Sequence, residues 1–151
     1  MTGSEPTKIE RKTLIRAPRS RVWQALTTPQ EFCQWFSCET KDSFEVGNRI
    51  ELASTHPLSK GKGFYFIVER LEPEHTFAWR WHPGSAKPGE DGTTLVEFHL
   101  EEVPEGTMVT VVETGFDRIS LARRAKAFTE NGRGWDLQLE AFEKYAGSQA
   151  A

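Results

Sequence analysis

Cysteine, long apolar runs and excess charge are all scarce in this sequence, and each shortage excludes a class of protein. Cys33 and Cys38 are its two cysteines. They are too few for a disulfide framework, so we predict free thiols in a reducing compartment. No stretch approaches the roughly 20 apolar residues of a membrane span, and none near the N-terminus has the apolar core of a secretion signal. We therefore expect a cytoplasmic protein that does not enter membranes.

The charge balance excludes a further class of partners. A net charge of -3 and an isoelectric point near 5.8 give no electrostatic basis for binding nucleic acid or an anionic membrane surface. We expect neither partner.

Motifs that would direct a reaction are also missing. The sequence has no glycine-rich phosphate loop, serine elbow or paired-carboxylate motif. His56, His75, His82 and His99 do not converge, so we predict surface histidines, no metal site and no cofactor. Cys33 could act as a nucleophile only beside a base, and none is indicated, which favours a buried structural thiol.

The composition that remains is typical of one globular domain. A chain of 151 residues with 37% hydrophobic and 27% charged residues can bury roughly two-thirds of its unfolded surface. We place the domain at residues 8–146 and predict flexible termini at 1–7 and 147–151.

The order of predicted elements is a strand, two short helices, about six strands and a helix. Residues 8–17 form an edge strand that Pro18 ends. Pro18 and Pro29 stand near the starts of the two helices, with Thr28 as the N-cap of the second. Residues 43–116 alternate in polarity between turn signals, which indicates a meander.

The C-terminal segment is predicted to close over this curved sheet. Trp135, Leu139, Phe142 and Ala146 recur at helical spacing and form one apolar face. We predict that Gly134 and the residues before it interrupt the chain. Residues 117–131 then form a separate short basic helix or a partly ordered loop.

Short motifs in a fixed order run from Ile9 to Tyr145. They are Ala17-Pro18, Val22-Trp23, Leu26-Thr27, Pro29, Trp35-Phe36, Glu72-Pro73, Gly106-Thr107, Thr110, Glu113, Gly115-Phe116, Gly134-Trp135 and Leu139. Their order and spacing resemble the family named after the activator of the heat-shock-protein-90 ATPase, within the START-like or SRPBCC superfamily.

This resemblance implies an α+β helix-grip fold. An antiparallel sheet of about 6–7 strands would wrap around a long C-terminal helix, with two short helices after strand 1 and a cavity between sheet and helix. Many members look like small-molecule binders, and the family has no common catalytic residues. The eukaryotic co-chaperone is similar only through its C-terminal part and carries a separate N-terminal domain, so we do not expect a chaperone partner here.

An aromatic stripe on one strand is the strongest chemical feature. Phe77, Trp79 and Trp81 share one face, and across proteins in general such residues are usually core. A helix-grip sheet often leaves room for a ligand, so we keep Phe77 as core and favour a cavity for the other two. The candidate cavity-lining residues are Trp35, Phe66, Trp79, Trp81, Phe98, Val111, Glu113, Trp135 and Leu139.

Glu113 shares its strand parity with Val109 and Val111, which predicts that it points inward. A buried carboxylate must be hydrogen-bonded, paired or protonated. It could anchor a ligand or act as a general acid or base, or it could pair with an arginine such as Arg80, Arg118 or Arg133. A bulge near Gly115 would turn it outward.

The arginines between residues 118 and 133 are interpreted as a solvated face. The alternative is that they bind the acidic head of a ligand at the cavity mouth, or an acidic partner.

The leading hypothesis is a protein that binds a small apolar or amphipathic molecule between the sheet and the C-terminal helix. The alternatives are a cyclase- or hydrolase-type enzyme using Glu113 and a module that regulates a chaperone. An exposed sheet edge or helix face would allow a homodimer. Dry mutual contact of Trp79, Trp81 and Trp135 with no void would contradict the leading hypothesis.

Overall fold

The computed structural model describes residues 8–148. Its elements are β1 (Lys8–Ile15), α1 (Arg19–Thr27), α2 (Pro29–Phe36), β2 (Cys38–Glu39), β3 (Arg49–Ser54), β4 (Gly63–Glu72), β5 (Thr76–Trp81), β6 (Thr94–Val103), β7 (Gly106–Thr114) and α3 (Leu121–Ser148), with one 3-10 turn at Phe116–Arg118. The predicted flexible residues 1–7 and 149–151 lie outside the described residues. Residues 147 and 148 are the last two of α3, and the flexibility of the termini stays a prediction.

Seven antiparallel strands form one sheet in the order β1-β7-β6-β5-β4-β3-β2. Strands β3 to β7 follow one another as a meander, and β1 lies at the edge beside the last strand, as predicted. The sheet, the two short helices after β1 and the long C-terminal helix together confirm the α+β helix-grip fold. No helix within residues 8–148 is long and apolar enough to cross a membrane.

The second short helix begins where the sequence predicts, but its cap differs. Pro29 occupies the first turn of α2 and Thr28 the N-cap position, yet the Thr28 side chain makes no capping hydrogen bond. The Thr28 carbonyl accepts the amide of Phe32 at 2.8 Å, which is the first hydrogen bond of the helix. Glu31 turns away to pair with Arg21 at 2.6 Å.

Helix α3 is continuous over 28 residues, so the predicted interruption at Gly134 is wrong. A glycine inside a helix costs only about 1 kcal/mol relative to alanine, and burial of Trp135 and Phe142 outweighs that cost. Gly132 also serves packing. A Cβ atom there would lie 3.1 Å from a guanidinium nitrogen of Arg11, so glycine leaves room for the Arg11 side chain beside α3.

The core lies between the concave face of the sheet and the helices. Strand register places Trp79 opposite Val96, and Val96 opposite Glu113, so the three form one row across β5, β6 and β7. Trp35 of α2 stacks on Phe142 of α3, with ring centroids 4.4 Å apart. The inner face therefore meets α2 and α3 through large aromatic side chains.

Candidate functional site

A buried carboxylate, that of Glu113, joins the sheet to α3. Its side chain is fully buried. Oε2 accepts the Trp81 indole N–H at 2.9 Å and the Thr94 hydroxyl at 2.5 Å, and Oε1 accepts the Trp135 indole N–H at 2.8 Å. The Asn131 amide donates to both oxygens at 2.9 and 3.0 Å. Two strands and one helix therefore converge on a single side chain.

The strand register explains why this carboxylate meets these donors. Glu113 pairs with Val96 in β6, Trp81 pairs with Thr94, and each strand alternates its side chains between the two faces. Thr94 is therefore a diagonal neighbour of Glu113 on the inner face, and Trp81 lies one strand further away, beside Thr94. The inward direction predicted from the parity of Val109 and Val111 is confirmed.

The partners of Glu113 differ from those expected for an ion pair. Among the residues that the structure describes, its hydrogen-bond donors are all neutral, and Arg80 instead pairs with Glu69 at 2.8 Å. Donors are aimed at both oxygens, so neither carboxylate oxygen is left without a hydrogen bond. None of these donors is a second titratable group in ordinary acid–base chemistry, so the arrangement suits a positioning role rather than proton transfer.

The three tryptophans of the predicted cavity are in contact. The ring centroids of Trp79 and Trp81 lie 5.5 Å apart, those of Trp81 and Trp135 6.0 Å, and those of Trp79 and Trp135 6.3 Å. Trp79 is also stacked between Phe66 at 4.6 Å and Phe98 at 5.6 Å. Aromatic rings therefore fill the space directly between sheet and helix.

Open volume lies beside this aromatic cluster rather than inside it. A cleft of about 790 Å³ runs between α2, the loop from β3 to β4, the loop from β5 to β6, and α3. Residues from each wall line it: Trp35, Phe36, Ser37, Ser54, His56, Ser59, Lys62, Gly63, Phe64, Tyr65, Trp81, His82, Pro83, Gly84, Ser85, Ala86, Pro88, Asn131, Gly134, Leu137, Gln138 and Ala141. A smaller pocket of about 100 Å³ adjoins Trp81 and Trp135. The tryptophan contact thus coexists with a void.

The predicted lining residues separate into two groups. Trp35 and Trp81 line the cleft, and Trp135 lines the smaller pocket. The others are packed in the interior, because their strands and helix turn them toward the aromatic cluster. They are Phe66, Trp79, Phe98, Val111, Glu113 and Leu139.

The loop from β5 to β6 is fastened across α3 at the cleft. The Gly84 amide donates to Oδ1 of Asn131 at 3.1 Å, while the same Asn131 side chain donates to Glu113. The Ser85 hydroxyl donates to the carboxylate of Glu130. Asn131 therefore connects the buried carboxylate to the rim of the cleft.

A buried ion pair fixes the other end of this loop. The Asp91 side chain is 0% exposed and lies 2.8 Å from Arg123 Nε. It also accepts the amides of Lys87 at 2.7 Å and Ser120 at 2.8 Å. The hydrogen bond from Arg123, with those amides, holds the pKa of Asp91 well below its usual range. The interpretation of the arginines as a solvated face is therefore wrong for Arg123, which pairs with a buried carboxylate.

Sequence reasoning missed Asn131 and Asp91 as organising residues. Asparagine is disfavoured inside helices. In a continuous α3, Asn131 lies four residues before Trp135 on the same helical face, so its position could have indicated a polar role beside that tryptophan. Asp91 had no such signal. It lies in a glycine- and proline-rich stretch, and its partner is 32 residues away along the chain.

The histidines and cysteines also differ in part from expectation. His56 and His82 line the cleft, and Nδ1 of His82 is buried without a hydrogen-bond partner among residues 8–148, so His82 is not a simple surface histidine.

Cys33 and Cys38 are free thiols in contact. Within the described residues no group of three His, Cys, Asp or Glu side chains is placed to hold a metal ion.

Residues 16–147 match the sequence pattern of the family described as "Activator of Hsp90 ATPase homolog 1-like protein". The chain belongs to this family. The resemblance seen in the sequence is thereby confirmed. A comparison with curated protein sequences finds no match.

Solved structures of this family's fold are similar over nearly the whole chain. Protein MLL2253 from Mesorhizobium loti is 23% identical with a TM-score of 0.75, over 91% of this chain and 95% of that one. The Aha1 dimer from Colwellia psychrerythraea is 21% identical with a TM-score of 0.74, over 94% and 97%. DynU16, from the dynemicin biosynthetic locus, is 20% identical with a TM-score of 0.74, over 96% of this chain and 49% of its own length. At these identities the likeness is one of fold.

Proposed function

We propose that this protein binds a small amphipathic molecule in the cleft beside Trp81. The observation that carries the proposal is the cleft itself, whose volume of about 790 Å³ falls within the range of small-molecule sites in proteins, roughly 300 to 1,000 Å³. Membership of the family and the helix-grip fold support it. A structure of similar fold comes from a biosynthetic locus, which is a setting rich in small organic molecules.

The lining of the cleft combines apolar surface with a few polar groups. Phe36 lies between Phe64 and Trp81, with ring centroids 6.1 and 6.2 Å away, so one wall is aromatic. Leu137 lines the opposite wall from α3 and is 69% exposed. A ligand that covers this leucine removes apolar surface from water, which favours binding.

Gly134 supports the proposal from the helix side. It lies on the face of α3 that carries Asn131, Gln138 and Ala141 toward the cleft, and a Cβ atom at this position would meet nothing within 4 Å. A glycine in mid-helix costs about 1 kcal/mol relative to alanine. Packing does not require glycine here, whereas an open cleft benefits from it.

Glu113 acts as a positioning residue in this proposal. It fixes the indole of Trp81, which lines the cleft, and through Asn131 it fixes the loop at Gly84. Preorganised side chains reduce the entropy lost when a ligand is ordered. The buried carboxylate thus supports binding without contacting the ligand.

Titration with phenylnaphthylamine, a neutral dye whose fluorescence rises in apolar surroundings, tests the proposal. We expect saturable binding by the wild-type protein. In Gly134→Leu the new side chain enters the cleft, so the affinity should fall about tenfold or more. Gly147→Leu is the matched control, because it lies on the same helix, also meets open space and does not line the cleft.

Two outcomes would overturn the proposal. One is no saturable binding by the folded wild-type protein. The other is equal affinity in the wild type and in Gly134→Leu, which would place the dye outside the cleft. Native mass spectrometry of the purified protein, followed by denaturation, would identify a molecule carried from the cell.

A homodimer is proposed as the assembly. It is supported by the dimer reported for the relative from Colwellia psychrerythraea and by the edge position of β1 and β2, since edge strands have unpaired backbone groups. Sedimentation across a concentration series tests it, and a single monomeric species throughout would reject it.

A further inference from the structure

We propose that the cleft selects an amphipathic anion, with an apolar body and one acidic group such as a carboxylate or sulfonate. This inference rests on the proposed function and narrows the chemical class of its ligand. Its first support is the charge of the side chains that line the cleft. Within residues 8–148 the ionisable side chains that line the cleft are Lys62, His56, His82 and Tyr65, with no aspartate or glutamate among them, although acidic residues outnumber lysine and arginine in the chain by 22 to 19.

Two carboxylates form hydrogen bonds with lining residues without lining the cleft themselves. Glu113 lies behind Trp81 and is surrounded by donors. Glu130 accepts the hydroxyl of Ser85 from outside the lining. Neither carboxylate is among the residues that line the cleft, whereas a lysine is.

Lys62 supplies an available positive charge. It forms no ion pair among the residues that the structure describes, and the backbone around it is fixed. Its amide donates to the Ser59 carbonyl at 2.9 Å, and its own carbonyl accepts the Ser54 amide at 2.9 Å. A lysine held at a cleft without a protein carboxylate is suited to an acidic ligand group.

His56 adds a hydrogen-bond donor at the same end of the cleft. Its Nδ1 accepts the Leu58 amide at 3.1 Å, so the ring proton lies on Nε2. A ring with Nδ1 occupied as an acceptor can offer only the Nε2 N–H to a ligand. The loop from β3 to β4 thus brings a cation and an N–H donor to one wall.

His82 offers a further polar contact deeper in the cleft. Its Nδ1 is shielded from solvent and has no partner among residues 8–148, and its ring packs against Tyr65 with centroids 5.9 Å apart. Buried polar atoms are nearly always hydrogen-bonded in folded proteins. Binding would have to expose this nitrogen before a polar group of the ligand could bond to it, and the apolar body of the ligand would lie along Phe36 and Trp81.

Two dyes with the same ring system separate this inference from the proposed function. Anilinonaphthalenesulfonate carries a sulfonate, whereas phenylnaphthylamine is neutral. We expect the sulfonate to bind the wild-type protein more tightly, and Lys62→Gln to weaken sulfonate binding about tenfold more than it weakens binding of the neutral dye. Added salt should weaken only the sulfonate. Lys60→Gln is the matched control, because this lysine lies on the same loop but outside the lining.

Each outcome decides between the two proposals. Equal affinities for both dyes, or the same loss for both in Lys62→Gln, would overturn the anion preference and leave the cleft as a binding site. Absence of binding by either dye to the folded wild type would overturn both. Sulfonate binding that survives in Gly134→Leu would also overturn the inference, because the dye would then sit elsewhere.

Discussion

The carboxylate of Glu113 in β7 accepts the indole N–H of Trp135 in α3, with 2.8 Å between Oε1 and Nε1. This bond fixes the C-terminal helix to the sheet at the centre of the inner face. Because the second oxygen holds Trp81 and Thr94 of β5 and β6, one buried side chain sets the spacing of both layers. It also sets the orientation of the indole that faces the cleft.

Replacement of Glu113 should destabilise the fold. Glu113→Gln keeps one acceptor oxygen but turns an amide N–H₂ toward existing donors, and we expect the free energy of unfolding to fall by about 1 to 3 kcal/mol. Glu113→Leu leaves every donor unpaired, so its loss should be larger, about 3 kcal/mol or more. Urea unfolding followed by tryptophan fluorescence measures both.

The matched control for Glu113 is Glu102→Gln, at an exposed position in β6. It should change the unfolding free energy by no more than about 0.5 kcal/mol. Equal stabilities for Glu113→Gln and Glu102→Gln would contradict the structural role of the buried carboxylate.

The Asp91–Arg123 pair should make the stability of the protein sensitive to acid. In the folded state the pKa of Asp91 is lowered from its ordinary value of 3.8, chiefly by the hydrogen bond from Arg123. The folded state therefore favours the ionised form. The stabilisation is fully present above 3.8 and is lost as the pH falls below that value toward the lower folded pKa.

Melting temperatures of the wild type and Asp91→Asn test this across a pH series. We expect the wild type to melt higher at neutral pH and the difference to shrink as the pH falls below 3.8. A difference that stays constant down to the most acidic point would show that the charge of Asp91 contributes nothing.

Gly134→Ala should stabilise the helix. Alanine is favoured over glycine in helices by about 1 kcal/mol, and the added methyl group meets no atom within 4 Å. Gly132→Ala is the comparison, because its methyl group would lie 3.1 Å from the Arg11 guanidinium and should gain less or lose stability. Urea midpoints that rank Gly132→Ala above Gly134→Ala would contradict this packing.

Cys33 should react with alkylating reagents before Cys38. The Cys38 thiol donates a hydrogen bond to the Cys33 sulfur, which lowers the pKa of Cys33 and raises that of Cys38. Cys38 is also poorly accessible to reagents, because it is only 5% exposed. Because the thiolate is the nucleophile, iodoacetamide followed by peptide mass spectrometry should label Cys33 first.

Two variants separate hydrogen bonding from simple exposure at Cys33. Cys38→Ser keeps a hydrogen-bond donor and should preserve the fast labelling of Cys33, whereas Cys38→Ala removes it and should slow the reaction. Labelling of Cys33 that is unchanged in Cys38→Ala would exclude the hydrogen bond as the cause.

Local, repeated patterns in the sequence predicted the order of the elements and their inward faces, whereas the helix-grip arrangement was predicted from the resemblance to a known family. Alternation in residues 93–116 predicted the inward faces of β6 and β7, and the position of Pro29 predicted the start of α2. The parity of Val109 and Val111 predicted the inward direction of Glu113. These inferences depend only on the period of a strand or helix.

The glycines of α3 show where local reasoning fails. Gly132 and Gly134 predict a break in the helix. The helix nevertheless continues through both, because Trp135 and Phe142 are buried against the core. The surroundings of each glycine explain why a larger residue is absent there. Gly132 faces Arg11, and Gly134 faces open space at the cleft.

The sequence by itself determined which side chains face inward, because side-chain direction follows from the period of each element. Only the tertiary structure decided what they meet there. It placed neutral donors rather than an arginine around Glu113. It also filled the centre with tryptophans in mutual contact and placed the open volume in the cleft beside Trp81. The reason is that loop conformation and the depth of α3 depend on contacts between residues such as Asp91 and Arg123, or Gly84 and Asn131. Such contacts join distant parts of the chain and leave no periodic pattern in the sequence.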